Sequence, residues 1–221
     1  SANANYVVVG TIANLTWVIV MPEVPEYSYT YNYNEVDREY DGTVTTIEVT
    51  VTSTVEGDQF TATYQWYKDE KVLVGSTANT ISVSEVADTG TYYCLVTVNG
   101  TALEKETIEV VIHPMTLDVT SITLKPGTSF EYTGEKITVE LDYPAALDTY
   151  LDINPSLTES QMSATDAGTY YVDVIINVKE DLDEENFDIN LDGLTLPYIG
   201  DGIDNIIRLT WEIKEGGVTP P

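Results

Sequence analysis

The sequence predicts an all-β protein made of two tandem β-sandwich domains. Thr, Val, Ile and Tyr, which suit half-buried strands, are abundant, and no long stretch repeats apolar residues at helical spacing. The heptad D-T-G-T-Y-Y-C at residues 88–94 returns as D-A-G-T-Y-Y-V at residues 166–172. In each copy an acidic residue and a glycine form a tight corner, from which alternating residues enter a strand. Two such corners in 221 residues indicate two domains of ordinary size.

The N-terminal segment, residues 1–24, reads as a strand that ends at Pro22. Its triplet Leu-Thr-Trp at 15–17 recurs at 209–211, and residues 108–114 are a third strand followed by proline. Because the other two copies close a domain, we expect the first to complete a sheet of another domain or subunit. The residues expected to make this contact are Tyr6, Val8, Ile12, Leu15, Trp17 and Ile19.

The first domain is predicted to span residues 25–114. An early strand turns Ile47, Val49 and Val51 inward, a later one carries Trp66, and Asn99-Gly100 signals a two-residue hairpin. Before them, tyrosines occupy every second position and would form one aromatic stripe on a strand. Such a stripe is either core or interface, or a platform on which sugars stack. Its members are Tyr27, Tyr29, Tyr31 and Tyr33.

The second domain is predicted to span residues 115–221. Its opening, E-Y-T-G-E-K-I-T-V-E-L at 131–141, repeats E-Y-D-G-T-V-T-T-I-E-V at 39–49. It has the corner but no tryptophan before it, and Val172 stands where the first domain has Cys94. An additional acidic stretch at residues 180–202 precedes the closing strand with Trp211.

Trp66 followed by Asp88, Gly90, Tyr92 and Cys94 resembles the immunoglobulin superfamily. The resemblance implies a tyrosine corner at Tyr92, repeated at Tyr170. The first cysteine of that pattern is absent, so Cys94 is expected to be a free thiol buried against Trp66. The residues expected to form the structural core are Trp66, Tyr92, Cys94, Tyr170 and Trp211.

The second domain resembles the short immunoglobulin-like (Ig-like) surface modules of the MBG and YDG type. F-E-Y-T-G at 130–134, D-A-G-T-Y at 166–170 and T-W-E-I at 210–213 carry this resemblance. These modules occur in tandem in large bacterial and archaeal surface proteins. The resemblance implies a spacer or an adhesive stalk and no catalytic activity.

Charge narrows the set of partners. Nine Lys and Arg face 37 Asp and Glu, a net charge of −28, which disfavours nucleic acid and anionic lipid. No run of 18 apolar residues predicts a transmembrane helix. Cys94 is the only cysteine, so no intrachain disulfide exists. These features fit a prokaryotic cell-surface protein or, alternatively, a virion protein.

The acidic stretch offers one metal hypothesis. Alternating oxygen-bearing side chains on a turning loop suit Ca²⁺, although no EF-hand is complete because Ile199 occupies the twelfth position. The alternative is a solvated acidic loop. The candidate calcium ligands are Asp181, Asp183, Asp188, Asn190 and Asp192. No other cofactor is expected.

Catalysis finds little support in the sequence. His113 is the only histidine and precedes Pro114 at the predicted joint between the domains, which disfavours both a His cluster for a metal and a Ser–His relay elsewhere in the chain. We therefore expect a non-enzymatic extracellular structural protein. It would be a subunit or repeat of a pilus-like filament or a stalk, joined head-to-tail by β-strand complementation to copies of itself or to adjacent modules. The alternative is an Ig-like adhesion or carbohydrate-binding module, or a virion decoration protein.

Overall fold

The computed structural model describes residues 23–155, 159–194 and 205–215. Within these ranges the regular structure is almost all β-strand, with four short 3-10 helices. The described chain divides into two compact units. The first contains residues 23–38 and Gly42–Ile112, and the second contains Glu39–Asp41 and the described residues from His113 onward. The predicted all-β class with two tandem sandwiches is confirmed.

The described part of the first unit has nine strands and one 3-10 helix, Val86–Asp88. In chain order the strands are β1 (Tyr27–Tyr31), β2 (Glu35–Glu39), β3 (Thr45–Ser53), β4 (Ala62–Lys68), β5 (Lys71–Val72), β6 (Thr80–Val83), β7 (Gly90–Val98), β8 (Thr101–Ala102) and β9 (Thr107–His113).

Two sheets form the sandwich of the first unit. One has the order β1-β3-β6, and the other has the order β2-β9-β7-β4-β5, with β8 also on β7. Alternation along β3 buries Ile47 and Val49 while Glu48 and Thr50 stay exposed, as expected for a strand with one face in a core. The Asn99-Gly100 hairpin prediction is confirmed, since these residues join β7 to β8 with φ of 50° and 84°.

The second unit has ten strands among its described residues, and its 3-10 helices are Ala145–Thr149, Glu159–Gln161 and Glu184–Asn186. In chain order the strands are β10 (Met115–Asp118), β11 (Thr123–Lys125), β12 (Ser129–Glu131), β13 (Ile137–Thr138), β14 (Glu140–Asp142), β15 (Leu151–Asn154), β16 (Ser163–Ala164), β17 (Gly168–Val178), β18 (Phe187–Asn190) and β19 (Ile206–Lys214).

The main sheet of the second unit has the order β12-β19-β17-β15. Its longest pairing is antiparallel, between β17 and β19, from Gly168 opposite Ile213 to Ile175 opposite Ile206. Shorter pairs, β10-β18, β11-β14 and β13-β16, complete the unit. The apolar core consists of alternate residues of β17 and β19 together with the other strands, including Val172, Val174, Ile176, Ile207, Trp211 and Ile213.

Two features differ from the sequence interpretation. The stretch expected to be an acidic loop contains β18, which pairs in parallel with β10 and buries Phe187. The Phe187 ring contacts Tyr150 and Tyr40, with both centroid distances 5.4 Å. Glu39–Asp41 therefore belong to the second unit, although the interpretation assigned residues 25–114 to the first domain. Both differences involve contacts between residues far apart in sequence.

Candidate interaction site

The tyrosine stripe lies on β1, an edge strand of the first unit. Tyr29 is 6% exposed, Tyr27 and Tyr31 are half-buried, and Tyr33 beyond the strand is exposed. The Tyr29 and Tyr31 rings meet edge to face at 5.7 Å, and Tyr31 lies 5.8 Å from the Trp66 ring. The stripe is therefore mostly part of the core, because alternation turns these rings inward. A four-ring sugar platform is not present among these residues.

Two hydroxyls of the stripe join Cys94 on β7 to Glu106, which lies just before β9. The Cys94 N–H donates to the Tyr31 hydroxyl at 3.0 Å, and that hydroxyl donates to the Glu106 carbonyl at 2.9 Å. The Glu106 N–H donates to the Tyr29 hydroxyl at 2.8 Å, and that hydroxyl donates to the Cys94 carbonyl at 3.3 Å. Each hydroxyl thus replaces one backbone hydrogen bond of a β-pair.

The two hydroxyls lie where β7 changes register between its pairing with β9 and its pairing with β8. Tyr93 lies opposite Thr107, so Cys94 and Glu106 would form the next pair. Farther along, the Leu103 N–H donates to the Val96 carbonyl, which is one residue out of that register. The extra residue makes a bulge, and the tyrosine hydroxyls satisfy the backbone groups that the bulge separates.

Two adjoining hollows open beside β1. One of about 240 Å³ is lined by Tyr27, Ser28, Tyr29, Leu103, Glu104 and Glu106. The other, of about 300 Å³, is lined by Tyr29, Thr30, Tyr31, Tyr33, Asn34, Glu106 and Thr107. They share Tyr29 and Glu106, and the only charged side chains in the two linings are Glu104 and Glu106.

One side of the β1 backbone has no paired strand among the described residues. The Asn32 N–H donates to Glu48 and the Thr54 N–H to Glu26, so the even-numbered residues of β1 bond to β3. Along an antiparallel pair, the backbone N–H and C=O groups of successive residues point alternately toward and away from the partner strand. Tyr27, Tyr29 and Tyr31 therefore direct these groups away from β3. Within the described residues β1 pairs with no other strand. We call this side of β1, with the two hollows, the tyrosine edge.

The expected core residues of the first unit lie together. Trp66 is 0% exposed, lies opposite Cys94 in the register of β4 and β7, and donates its indole N–H to the Ala78 carbonyl at 3.0 Å. Cys94 is a free, buried thiol, and burial raises its pKa to about 11. Tyr92 donates its hydroxyl hydrogen bond to the Asp88 carbonyl at 2.8 Å, and burial raises its pKa. Such a thiol is a small core side chain.

In the second unit, Tyr170 and Trp211 lie opposite each other on β17 and β19 and their rings stack at 4.8 Å. Tyr170 is half-buried and donates its hydroxyl hydrogen bond to the Asp166 carbonyl at 2.8 Å. Trp211 is 1% exposed and donates its indole N–H to the Gln161 carbonyl at 2.9 Å. The Gln161 side chain in turn accepts from the Tyr171 N–H at 3.1 Å.

The candidate calcium ligands occupy separate elements of the second unit. Asp183 caps a 3-10 helix by accepting from the Glu185 N–H at 3.1 Å, and Asn190 accepts from the Asp192 N–H at 3.0 Å. Asp188 lies on strand β18, and Asp181 is exposed in the preceding turn. In the part of the chain that the structure describes, no group of three or more His, Cys, Asp or Glu side chains could hold a metal ion. Residues 187–190 form a strand, whereas the hypothesis expected a turning loop there.

Another expectation concerned the N-terminal segment. The contacts expected for Tyr6, Val8, Ile12, Leu15, Trp17 and Ile19 lie outside the described residues. The side chain of Asn99 in the β7-β8 hairpin turn forms two hydrogen bonds: its amide oxygen accepts from the Thr61 N–H at 3.0 Å and its amide nitrogen donates to Tyr27 at 3.1 Å.

Sequence reasoning missed an ion pair in the second unit. Arg208 donates two hydrogen bonds of 2.7 Å to Asp173, which is 5% exposed, and its guanidinium lies 4.0 Å from the Tyr171 ring. The hydrogen bond to Asp173 is the main cause that raises the Arg208 pKa. The sequence shows only Asp173 at an outward position of β17. Its partner Arg208 can be identified only once β19 is placed beside β17.

No protein-family model matches the chain, and a search of curated proteins found no match. Among solved structures, it is similar to three N-terminal domains of the bacteriophage RB49 Highly Immunogenic Outer Capsid protein, with 13% identity and a TM-score of 0.37 over 88% of this chain and 72% of that one. It is also similar to extracellular domains 3–5 of Drosophila OTK, with 11% identity and a TM-score of 0.30 over 83% of this chain and 62% of that one.

A third similar structure contains immunoglobulin domains 1–4 of Sidekick-1, with 13% identity and a TM-score of 0.31 over 88% of this chain and 50% of that one. The chain therefore spans half of that structure. All three TM-scores lie below 0.5, so these likenesses carry no argument about function. None of the helices in the described ranges is long and apolar enough to cross a membrane.

Proposed function

We propose that the chain is a non-catalytic structural protein of a cell surface. It is a repeat or subunit of a stalk or pilus-like filament, joined head-to-tail through residues 1–24, which complete a sheet of a neighbouring module or subunit. The net charge of −28 supports a solvated exterior location. Backbone pairing supplies affinity in such strand addition, and alternate side chains supply specificity.

The observation that carries the proposal is the repeated Leu-Thr-Trp triplet. In its second copy, Trp211 is buried and stacked on Tyr170 in the closing strand β19. A strand of the same pattern at residues 15–17 therefore suits a comparable sheet. In the described chain the first unit already has β9 and the second has β19 at this position. The N-terminal copy is thus available to a neighbour.

The chemistry of the described residues supports a non-catalytic role. The groups whose pKa burial raises most, Tyr31, Tyr92 and Cys94, lie within the sandwich core. The two tyrosine hydroxyls bond to backbone groups of the same unit. Burial and backbone bonding explain these perturbed groups without a substrate.

Removal of residues 1–24 tests the proposal. We expect the full chain to associate with increasing concentration in light scattering and to form fibres visible by electron microscopy. The chain of residues 25–221 should remain folded, with Cys94 unreactive to thiol reagents, and stay monomeric. A matched pair of variants refines the test: Trp17→Thr should weaken association more than Val18→Thr, because alternate residues of a strand face opposite sides.

Two outcomes would contradict the proposal. Association of the shortened chain to the same extent as the full chain would show that residues 1–24 are not the connector. A full chain that stays monomeric at every concentration would argue against strand exchange between chains.

A second candidate function, adhesion to a different protein, is favoured by the tyrosine edge. Strand-edge backbone groups and hollows of the size of single side chains suit a peptide. Sugar stacking on the stripe is less suited, because Tyr29 is 6% exposed and its ring is turned into the core.

A further inference from the structure

We propose that the tyrosine edge binds an extended strand from a different protein, one that carries arginine or lysine at alternate positions. This inference goes beyond the assembly role and does not depend on residues 1–24.

The first step of the argument is the free backbone of β1. Tyr27, Tyr29 and Tyr31 direct N–H and C=O groups away from β3, and within the described residues no strand pairs with them. Unpaired groups at a sheet edge are a template for an added strand. An extended strand from another protein, called the guest strand below, would therefore form backbone hydrogen bonds along these residues.

The second step is that β1 lacks the charged and proline residues that commonly protect an edge strand. Soluble proteins discourage unwanted strand addition with lysine, proline or inward-pointing charge on edge strands. The strand reads Y-S-Y-T-Y and contains no charged residue and no proline, in a chain with 46 charged side chains, nine basic and 37 acidic. An uncharged edge on such a protein is suited to a guest.

The third step is the spacing of the two hollows. One lies toward Tyr27 and the other toward Tyr33, on either side of their shared residue Tyr29. Alternate residues of a guest strand paired with β1 are about 7 Å apart. Side chains at i and i+2 of a guest strand project to the same face at this spacing, so one guest can fill both hollows.

The fourth step is the charge of the linings. Glu104 and Glu106 are exposed and are the only charged residues that line the hollows. The nearby Lys105 does not neutralise them, because its ammonium lies over the Tyr93 ring and pairs with Glu70. Basic guest side chains would meet carboxylates and tyrosine rings, both of which attract cations.

The guest is not a second copy of this chain. The nine Lys and Arg residues include no pair at positions i and i+2, and residues 1–22 contain none. A basic segment is also attracted to a chain with a net charge of −28.

The test uses the full chain labelled with ¹⁵N, at a concentration where light scattering shows it to be monomeric, and a nine-residue peptide in which Arg alternates with Thr. We expect amide shifts to change at Tyr27–Tyr31 and at residues 103–107. A peptide of the same composition with its Arg residues adjacent should bind about tenfold more weakly, because only one hollow is then filled. Equal binding of both peptides would overturn the proposal, since it would show general attraction to an acidic surface.

Variants separate the backbone contribution from the charge contribution. Tyr27→Ala and Tyr27→Pro lose the same ring, but only proline removes the N–H that faces the guest, and proline is tolerated at the first residue of an edge strand. Tyr27→Pro should bind more weakly than Tyr27→Ala. Glu104→Gln with Glu106→Gln should weaken binding about three- to tenfold at low salt, and less at high salt. The charge-matched control, Glu131→Gln with Glu140→Gln, should leave binding unchanged.

Three further results would overturn the proposal. They are no binding of the alternating peptide, shifts confined to other surfaces, and equal loss of binding in the control variant. A peptide of residues 5–21 that binds this edge more tightly than the alternating Arg peptide would identify the occupant as a second copy and would equally overturn it.

Discussion

The two sandwich units share a corner but place their tryptophan on different strands. Tyr92 and Tyr170 each donate a hydrogen bond of 2.8 Å to the carbonyl four residues earlier. In the first unit Ile108 lies opposite Tyr92, and Trp66 lies opposite Cys94. In the second unit the tryptophan, Trp211, lies opposite the corner tyrosine itself.

The strand next to the corner explains this difference. In the first unit β4 lies beside β7 from Tyr92 to Val98 and supplies Trp66. In the second unit β15 lies beside only residues 175–178 of β17, so the described chain has no strand on that side of the corner. The tryptophan comes from β19 on the other side, and Gln161 bonds to both Trp211 and the Tyr171 N–H. The heptad thus determines the corner, whereas the neighbouring strands decide how the core is filled.

The largest expected effect comes from removing each tryptophan. Trp66→Ala and Trp211→Ala should each destabilise their own unit by about 3–5 kcal/mol, because a large buried side chain leaves a cavity. Labelling of Cys94, the only thiol, by maleimide in urea reports opening of the first unit. A Val172→Cys reporter in a Cys94→Val background reports the second.

A matched control for the tryptophan prediction is Leu95→Ala, since Leu95 is 39% exposed. This variant should change stability by less than about 1 kcal/mol. If Trp66→Ala has an effect as small as Leu95→Ala, the proposed role of Trp66 in the core is wrong.

The next largest effect should follow loss of the bridging hydroxyls, which the second unit lacks in its described residues. Tyr29→Phe and Tyr31→Phe should each destabilise the first unit by about 1–2 kcal/mol, because backbone groups of Cys94 and Glu106 lose partners. Urea unfolding followed by Cys94 labelling measures this loss. Tyr33→Phe, at an exposed tyrosine, is the control. If Tyr29→Phe and Tyr31→Phe destabilise the unit no more than Tyr33→Phe does, the hydroxyls do not stabilise the bulge.

The two corners provide a smaller and more direct comparison. Tyr92 is 2% exposed, whereas Tyr170 is half-buried. Tyr92→Phe should therefore cost about 1–1.5 kcal/mol and Tyr170→Phe about 0.5 kcal/mol, since water replaces the lost bond more readily at Tyr170. Thermal unfolding with the two thiol reporters measures both values. A larger effect at Tyr170 would show that exposure does not control the contribution of the corner.

The smallest effect at neutral pH concerns Cys94, whose place Val172 takes in the second unit. Cys94→Val should change stability by no more than about 1 kcal/mol at pH 7. Because burial raises the thiol pKa from 9.0 to about 11, the stability linked to the neutral thiol is complete below pH 9 and decreases as pH rises toward 11. The stability of the Cys94→Val variant relative to the natural protein should therefore increase across this pH range.

Melting temperatures of both proteins between pH 7 and pH 11 test this prediction. Both should also lose stability above pH 10, because the pKa values of Tyr31 and Tyr92 are raised by burial. Parallel curves for the two proteins would show that the thiol does not contribute to alkaline sensitivity.

The elements that sequence reasoning found are those encoded within a few residues. The corners at Tyr92 and Tyr170, the Asn99-Gly100 hairpin and the inward alternation of β3 depend on local turn geometry and on a period of two. The elements it missed join residues far apart. Tyr31 and Cys94 are 63 residues apart, and Asp173 and Arg208 are 35 apart. No local pattern shows which distant strand will supply a partner.

The amino-acid sequence by itself determined the all-β class, the pair of corners and the acidic surface, because composition, turn chemistry and charge are properties of the chain alone. Only the tertiary structure decided that Tyr29 and Tyr31 bridge a bulge, that Tyr40 packs in the second unit and that no strand of the described residues lies on one side of β1. These outcomes depend on which strands become neighbours, and strand pairing is set by the packing of the whole core.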